Sequence, residues 1–178
     1  MTADEIKALI RTIPDFPRPG ILFRDITSLI ADGPGLRGAV DALAARAQGT
    51  DAELIAGVEA RGFIFGAAVA ARLGVGFLPV RKRGKLPVAT VGIDYALEYG
   101  TDRLEIDPSM IGRDQAVLLV DDLIATGGTA LAASRLLREA GARVEHALFV
   151  IDLPDLGGAD RLRGEAIRAE ALVDYPGH

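Results

Sequence analysis

The chain has 178 residues, 49% hydrophobic and 25% charged, which suits one globular domain with a sizeable core. With 25 acidic and 20 basic residues its formal charge is −5, which speaks against general nucleic-acid binding. The absence of cysteine excludes disulfides and thiolate metal sites, His146 and His178 alone make a poor zinc set, and no stretch reaches the length of a membrane span.

The N-terminus, Met1-Thr2-Ala3-Asp4-Glu5, is acidic where a signal peptide would be basic, so a soluble, cytoplasmic protein is expected. Thr2 and Glu5 have the spacing of a capping box, and Ile6, Leu9 and Ile10 give the short helix after it one apolar face. Pro14, Pro17, Pro19 and Gly20 break that helix into an extended segment running to about Ile26. After the Asp32-Gly33-Pro34 turn, Leu36, Val40, Leu43 and Ala47 recur at helical spacing.

From Leu54 onwards strands and helices alternate: a strand at 54–58, a helix at about 62–73 and a strand at 75–80. A basic loop and a strand at 88–93 follow, then an ambiguous stretch to Ile106 that has a mobile loop or hairpin at its centre. The pattern resumes with a strand at 116–120, a helix at about 127–140 and a strand at 144–151. Residues 154–164, rich in Pro, Gly and acids, read as irregular, and 167–173 as a last strand. Such alternation predicts an α/β fold with a parallel core.

Residues 117–129, Val-Leu-Leu-Val-Asp-Asp-Leu-Ile-Ala-Thr-Gly-Gly-Thr, are the most informative. A fully apolar strand fits a parallel sheet buried on both faces, where ligands sit beyond the carboxyl ends of the strands. Asp121 and Asp122 fall at that edge, and Ala125, Thr126, Gly127, Gly128 and Thr129 open the next helix. Glycines at a helix start let backbone N–H groups approach an anion closely, and the helix dipole adds positive potential. Carboxylates beside such a turn accept hydrogen bonds from vicinal hydroxyls, so together they describe a ribose 5-phosphate site. The stretch has neither the lysine of a P-loop nor the three-glycine spacing of a dinucleotide turn.

Three other places carry chemistry. Glu59-Ala60-Arg61-Gly62 is a second strand-to-helix turn, with an Arg fork suited to phosphate oxygens; alone it would be an ordinary structural turn. Arg81, Lys82, Arg83 and Lys85 put four cations into five residues of an acidic chain, a pattern that is usually a solvated charge run but here matches a polyanionic ligand. Tyr95-Ala96-Leu97-Glu98-Tyr99-Gly100 lies at the centre of the loop or hairpin, where a lid would exclude water from a reactive ribosyl cation.

The 117–129 arrangement resembles the phosphoribosyl pyrophosphate (PRPP) motif of the type I phosphoribosyltransferases. The resemblance implies a mostly parallel central sheet flanked by helices, with a flexible catalytic loop and a small hood. The resemblance runs from about Pro14 to Gly141 and implies a single domain over residues 1–178, about 1–34 forming the hood and base-recognition segment and about 81–106 the mobile loop region. Asp121 and Asp122 would hold the ribose, and residues 125–129 the 5-phosphate. Glu59, Ala60 and Arg61, with Arg81, Lys82 and Lys85, would meet pyrophosphate, part of the basic loop reaching across a dimer interface. Mg²⁺ would be held by PRPP, pyrophosphate and water and not by a dedicated protein site.

Leu97-Glu98-Tyr99-Gly100 and the stretch Pro17-Arg18-Pro19-Gly20-Ile21-Leu22-Phe23-Arg24-Asp25-Ile26-Thr27 are similar to the adenine-specific members of that family. The similarity makes Glu98 the carboxylate that handles a purine proton at N7, and Tyr99 a residue closing the site. Arg61 is placed with these two as catalytic. Phe23 and Leu123 would pack on the two faces of the purine while backbone groups of Leu22 and Arg24 read its edge. Glu105, flanked by Leu104 and Ile106, reads as structural. Ala60 stands where relatives often have a small polar residue and Leu22 where valine is frequent, and neither change removes a functional group. The implied reaction is a pentosyl transfer in purine salvage, from adenine and PRPP to AMP and pyrophosphate, in a homodimer that binds neither nucleic acid nor membrane. The alternatives are another purine (hypoxanthine, guanine or xanthine) phosphoribosyltransferase, disfavoured because residues 131–137 contain no lysine for a 6-oxo group, and a non-catalytic PRPP-sensing regulator, disfavoured because no basic DNA-binding module is present.

Overall fold

The computed structural model describes residues 1–96 and 100–177. Thr2 caps α1 (Ala3–Ala8), its hydroxyl accepting from Glu5 N while the Glu5 carboxylate accepts from Thr2 N. The segment expected to be merely extended pairs with itself, β1 (Arg11–Pro14) lying antiparallel to β2 (Leu22–Asp25) with Ile13 opposite Phe23. Two helices follow, α2 (Thr27–Ala31) and α3 (Gly33–Ala47), the second begun by Asp32 accepting from Gly35 N.

The remaining strands are β3 (Leu54–Val58), β4 (Gly76–Lys82), β5 (Val91–Ala96), β6 (Thr101–Ile106), β7 (Ala116–Ile124), β8 (Arg143–Asp152) and β9 (Arg168–Asp174). They form one sheet in the order β5-β6-β4-β3-β7-β8-β9, with β4, β3, β7, β8 and β9 parallel and the β5–β6 hairpin joined antiparallel to β4. The mostly parallel α/β architecture expected from the alternation is therefore present.

Helices α4 (Gly62–Leu73), α5 (Gly128–Glu139) and α6 (Gly158–Gly164) complete the two-sided packing. Along β7, Val117 and Leu119 join one apolar cluster with Leu136, Leu137 and Leu162, while Leu118 and Val120 join another with Leu43, Phe65 and Val69. Successive side chains point to opposite faces and both faces are covered, so every residue of the run must be apolar.

Four boundaries differ from the sequence expectation. β7 continues through both aspartates to Ile124 because β8 runs beside it, pairing Asp121 with Phe149 and Ile124 with Asp152. β4 takes in Arg81 and Lys82, which pair with Glu105 and Leu104, so these cations are strand residues and not loop. β5 starts at Val91 and not Val88, since its partner β6 ends at Ile106, opposite Val91. Residues 154–164, expected to be irregular, hold a 3-10 turn (Pro154–Leu156) and α6, anchored by the buried Ala159 and Leu162.

Candidate active site

β3 and β7 are neighbours, with Gly57 opposite Val120, so the turns after these strands open side by side at the carboxyl edge of the sheet. Between them lies a cleft of about 750 Å³. It is lined by Glu59, Ala60 and Arg61 from the first turn, by Asp121, Asp122 and Leu123, and by Ala125, Thr126, Gly127, Gly128 and Thr129 from the second. Residues more than 60 positions apart in sequence thus share one site.

The aspartates sit differently. Asp121 lies under the start of α4, where a Cβ built on Gly62 would fall 2.6 Å from its Oδ1, and that oxygen accepts from Asp122 N at 2.8 Å. Burial, and then the adjoining Asp122 carboxylate, push the Asp121 carboxyl well above the usual carboxylate range. Asp122 is only 5% exposed. Its Oδ2 forms an ion pair with Arg61 Nε at 3.0 Å, yet no donor is aligned with it for a hydrogen bond. That oxygen keeps its capacity to accept from a hydroxyl.

The second turn is fixed by close packing. Gly127 has φ 79°, and a Cβ there would stand 2.9 Å from the Gly158 Cα. Gly158 in turn donates its N–H to the Ala125 carbonyl at 3.0 Å, and a Cβ on it would be 2.3 Å from that oxygen. Two backbones this close leave no room for side chains, so both positions require glycine. Gly128 meets nothing closer than the Ala96 carbonyl, 3.6 Å from its Cβ position, which leaves its amide side open to the cleft and brings the end of β5 over the turn.

The cations separate on folding. Lys82 reaches the cleft, whereas Arg81 and Lys85 are not among the residues lining it. Arg81 instead bonds Glu59 at 2.9 Å and lies 5.8 Å from the centre of the Phe63 ring. Glu59 also accepts from Lys82 N at 2.9 Å, and these bonds, Arg81 first, hold its carboxyl below the ordinary range. Glu59 therefore ties the first turn to β4. Lys82 Nζ donates to Tyr95 Oη at 2.8 Å and to the Asp102 carboxylate. Burial opposes its charge, but the bonds to Asp102 and Tyr95 outweigh burial and raise the ammonium above its ordinary value.

Of the residues assigned to the base, Leu123 lines the cleft and Leu22, Phe23 and Arg24 do not. Phe23 packs edge-on against Phe16, ring centres 5.2 Å apart, and Leu22 is exposed. The Arg24 side chain is buried away from the ribbon edge, bonding the Thr12 hydroxyl at 2.6 Å and stacking 4.4 Å from the Tyr175 ring centre. Only its backbone is left for recognition. Glu98 and Tyr99 lie outside the described residues. Glu105 accepts from Gly84 N at 2.9 Å and from Arg103 at 3.2 Å, a structural part in the β6 edge.

Tyr95, the first residue of the expected lid segment, lines the cleft, and so do Arg135 and Arg161, which no motif had singled out. Arg135 holds Glu165 at 2.5 Å, and Arg161 donates to the Thr126 carbonyl at 2.7 Å. The Gly157-Gly158 pair was a visible turn signal ahead of Arg161, but nothing in the sequence says that α6 docks on the distant 125–127 turn.

The chain matches the phosphoribosyl transferase domain family over residues 27–165, and it belongs to that family. It is similar over its full length, 69% identical with both chains covered completely, to the adenine phosphoribosyltransferase of Novosphingobium aromaticivorans. Among solved structures it is similar to the adenine phosphoribosyltransferase of Thermoanaerobacter pseudethanolicus, with 46% identity, a TM-score of 0.92, and 98% of this chain and 100% of that one covered. A third likeness is to the Saccharomyces cerevisiae adenine phosphoribosyltransferase complexed with an imino-altritol bisphosphate and adenine, with 37% identity, a TM-score of 0.89, and 96% and 98% covered.

Proposed function

We propose that the protein is an adenine phosphoribosyltransferase, moving the 5-phosphoribosyl group of PRPP to N9 of adenine and giving AMP and pyrophosphate. The observation that carries this is the single cleft joining the acidic pair, the 125–129 turn and the Arg61 turn, in a chain 69% identical over its length to an adenine phosphoribosyltransferase. Against a 6-oxo purine, residues 131–137 contain no lysine, and the cation there, Arg135, is committed to Glu165.

In the proposed reaction Asp121 and Asp122 accept from the ribose hydroxyls, and the amides of the 125–129 turn with the α5 dipole hold the 5-phosphate. The bond from the anomeric carbon to pyrophosphate oxygen breaks first, its electron pair leaving with pyrophosphate, which Arg61 and Lys82 meet. Adenine then attacks through the N9 lone pair and gives up its N7 proton to Glu98 while Tyr99 closes the site. Positioning and charge stabilisation do most of the work, each well-placed donor supplying about 3 kcal/mol. Leu123 and Phe23 would enclose the base once the β1–β2 ribbon meets the cleft.

The donors also fit Mg²⁺ carried by the substrate. Asp122 Oδ2 is buried with no aligned donor, while no group of three or more acidic or imidazole ligands stands together among the described residues. The aspartates would hold the ion through water and diphosphate oxygens, and it would neutralise charge on the leaving group. The same reading makes the chain one domain, with residues 1–34 as hood and 81–106 as the loop region, acting as a cytoplasmic homodimer. Exposed Ile64, Val88 and Val91 offer apolar surface to a second copy, and no described helix is long and apolar enough to cross a membrane.

The test is stoichiometry. Purified protein given PRPP, Mg²⁺ and adenine should form AMP and pyrophosphate one for one. Binding of PRPP with no pyrophosphate released for any purine would replace this reading with that of a PRPP-sensing regulator.

A further inference from the structure

Four described cations line the cleft, and three of them hold a carboxylate: Arg61 holds Asp122 at 3.0 Å, Lys82 holds Asp102, and Arg135 holds Glu165 at 2.5 Å. Arg161 differs. No described carboxylate pairs with it, and its recorded bond runs from Nη1 to the Thr126 carbonyl at 2.7 Å, on the turn assigned to the 5-phosphate. A guanidinium has five N–H donors, so most of them remain for something else.

Its place is set by backbone contacts. Gly158, on the first turn of α6, is locked to the phosphate turn by its N–H bond to Ala125 and by its approach to Gly127. Arg161 follows three residues later, on the same side of the helix, while its neighbour Leu162 is fully buried on the other. The turn itself contains no cation from Ala125 to Thr129. A phosphate monoester carries close to two negative charges, and backbone amides alone answer them with partial charge only.

We propose that Arg161 is the cationic ligand of the 5-phosphate: docked on the Thr126 carbonyl, it directs its remaining donors to the phosphate monoester of PRPP and AMP. The proposal rests on the reading of the cleft as a phosphoribosyl site and adds to it a residue from α6 that the PRPP motif does not contain. Arg161 acts by binding, not by taking part in bond making.

Calorimetric titration of the full chain with AMP and with adenosine separates the phosphate from the nucleoside. Arg161→Gln keeps a donor for Thr126 but loses the charge, and should weaken AMP binding by about 10- to 100-fold, the worth of a charge-assisted hydrogen bond, with adenosine binding unchanged. Arg161→Lys keeps the charge and should retain most of the AMP affinity. Equal weakening of AMP and adenosine in Arg161→Gln would reduce Arg161 to a brace of the turn and overturn the proposal, as would unchanged AMP binding. If the wild-type protein itself binds AMP no better than adenosine, the phosphoribosyl reading fails and the Arg161 proposal falls with it; if the wild type prefers AMP and only the variant result is negative, that reading stands.

Discussion

Arg61 and Asp122 meet in the cleft as an ion pair, Nε to Oδ2 at 3.0 Å, although the proposed reaction assigns them to opposite ends of one substrate. On the proposed function the ribose hydroxyls and the Arg61 guanidinium would compete for the same buried oxygen, and ribose binding on Asp122 would free Arg61 for the pyrophosphate. Asp122→Asn removes an anionic acceptor and should lower kcat/KM for PRPP by about 10- to 100-fold. Adenine binding measured alone by calorimetry should not change, and equal losses for both ligands would contradict the assignment.

Asp121 carries a burial cost that Asp121→Asn removes. Its folded pKa is raised, so the folded state binds more protons than the unfolded one above the ordinary value of 3.8, and stability falls as pH rises from there towards the raised value. Asp121→Asn should therefore melt at a higher temperature than the wild type at neutral pH, with the gap closing as pH falls to about 3.8, while PRPP turnover drops. Thermal unfolding as a function of pH reads this directly; a variant less stable than the wild type at pH 7 would show that burial does not dominate at Asp121.

Gly158→Ala forces a Cβ to within 2.3 Å of the Ala125 carbonyl and 2.7 Å of Gly127 N, both backbone atoms. Overpacking of this kind should cost about 1–3 kcal/mol and raise KM for PRPP by distorting the phosphate turn. Gly164→Ala, on the same helix with nothing within 4 Å of its Cβ position, is the control and should be neutral. Equal urea midpoints for the two variants would contradict the close approach.

Lys82 has three N–H donors, two of them fixed by Tyr95 and Asp102, so the direction of the third is set by the hairpin. Asp102→Asn should raise KM for pyrophosphate in the reverse reaction by about tenfold with KM for AMP little changed. The Lys82 bond is the first of the causes that lower the Asp102 pKa, so its contribution to stability is present at neutral pH and lost as pH falls below 3.8. Both side chains are about a third exposed, which limits that contribution to about 1 kcal/mol or less. A matched rise in both KM values would make Asp102 a general support of the fold.

The parallel strands and the two turns were legible because burial on both faces imposes unbroken apolar runs, as in Leu118 and Leu119, and because a helix start on Gly128 leaves its mark in local sequence; the exposed β1 and the largely unburied β2 carry no such run. Relations between distant segments were not. Arg81 and Lys82 are adjacent cations of the same type of charge, and only the pairing of β4 with β6 sends one to Glu59 and the other to the cleft. The 154–164 stretch looked irregular because seven helical residues carry too little periodicity to read, yet α6 brings Arg161 to the 125–129 turn. Phe23 was assigned to the purine by resemblance alone, and the sequence does not say that its ring packs on Phe16 outside the cleft lining.

Pyrophosphate release from PRPP and Mg²⁺ with adenine, hypoxanthine, guanine and xanthine in parallel tests the central claim most directly. Rapid release with adenine and little with the three 6-oxo purines is the predicted result. Release with hypoxanthine or guanine matching or exceeding that with adenine would contradict it.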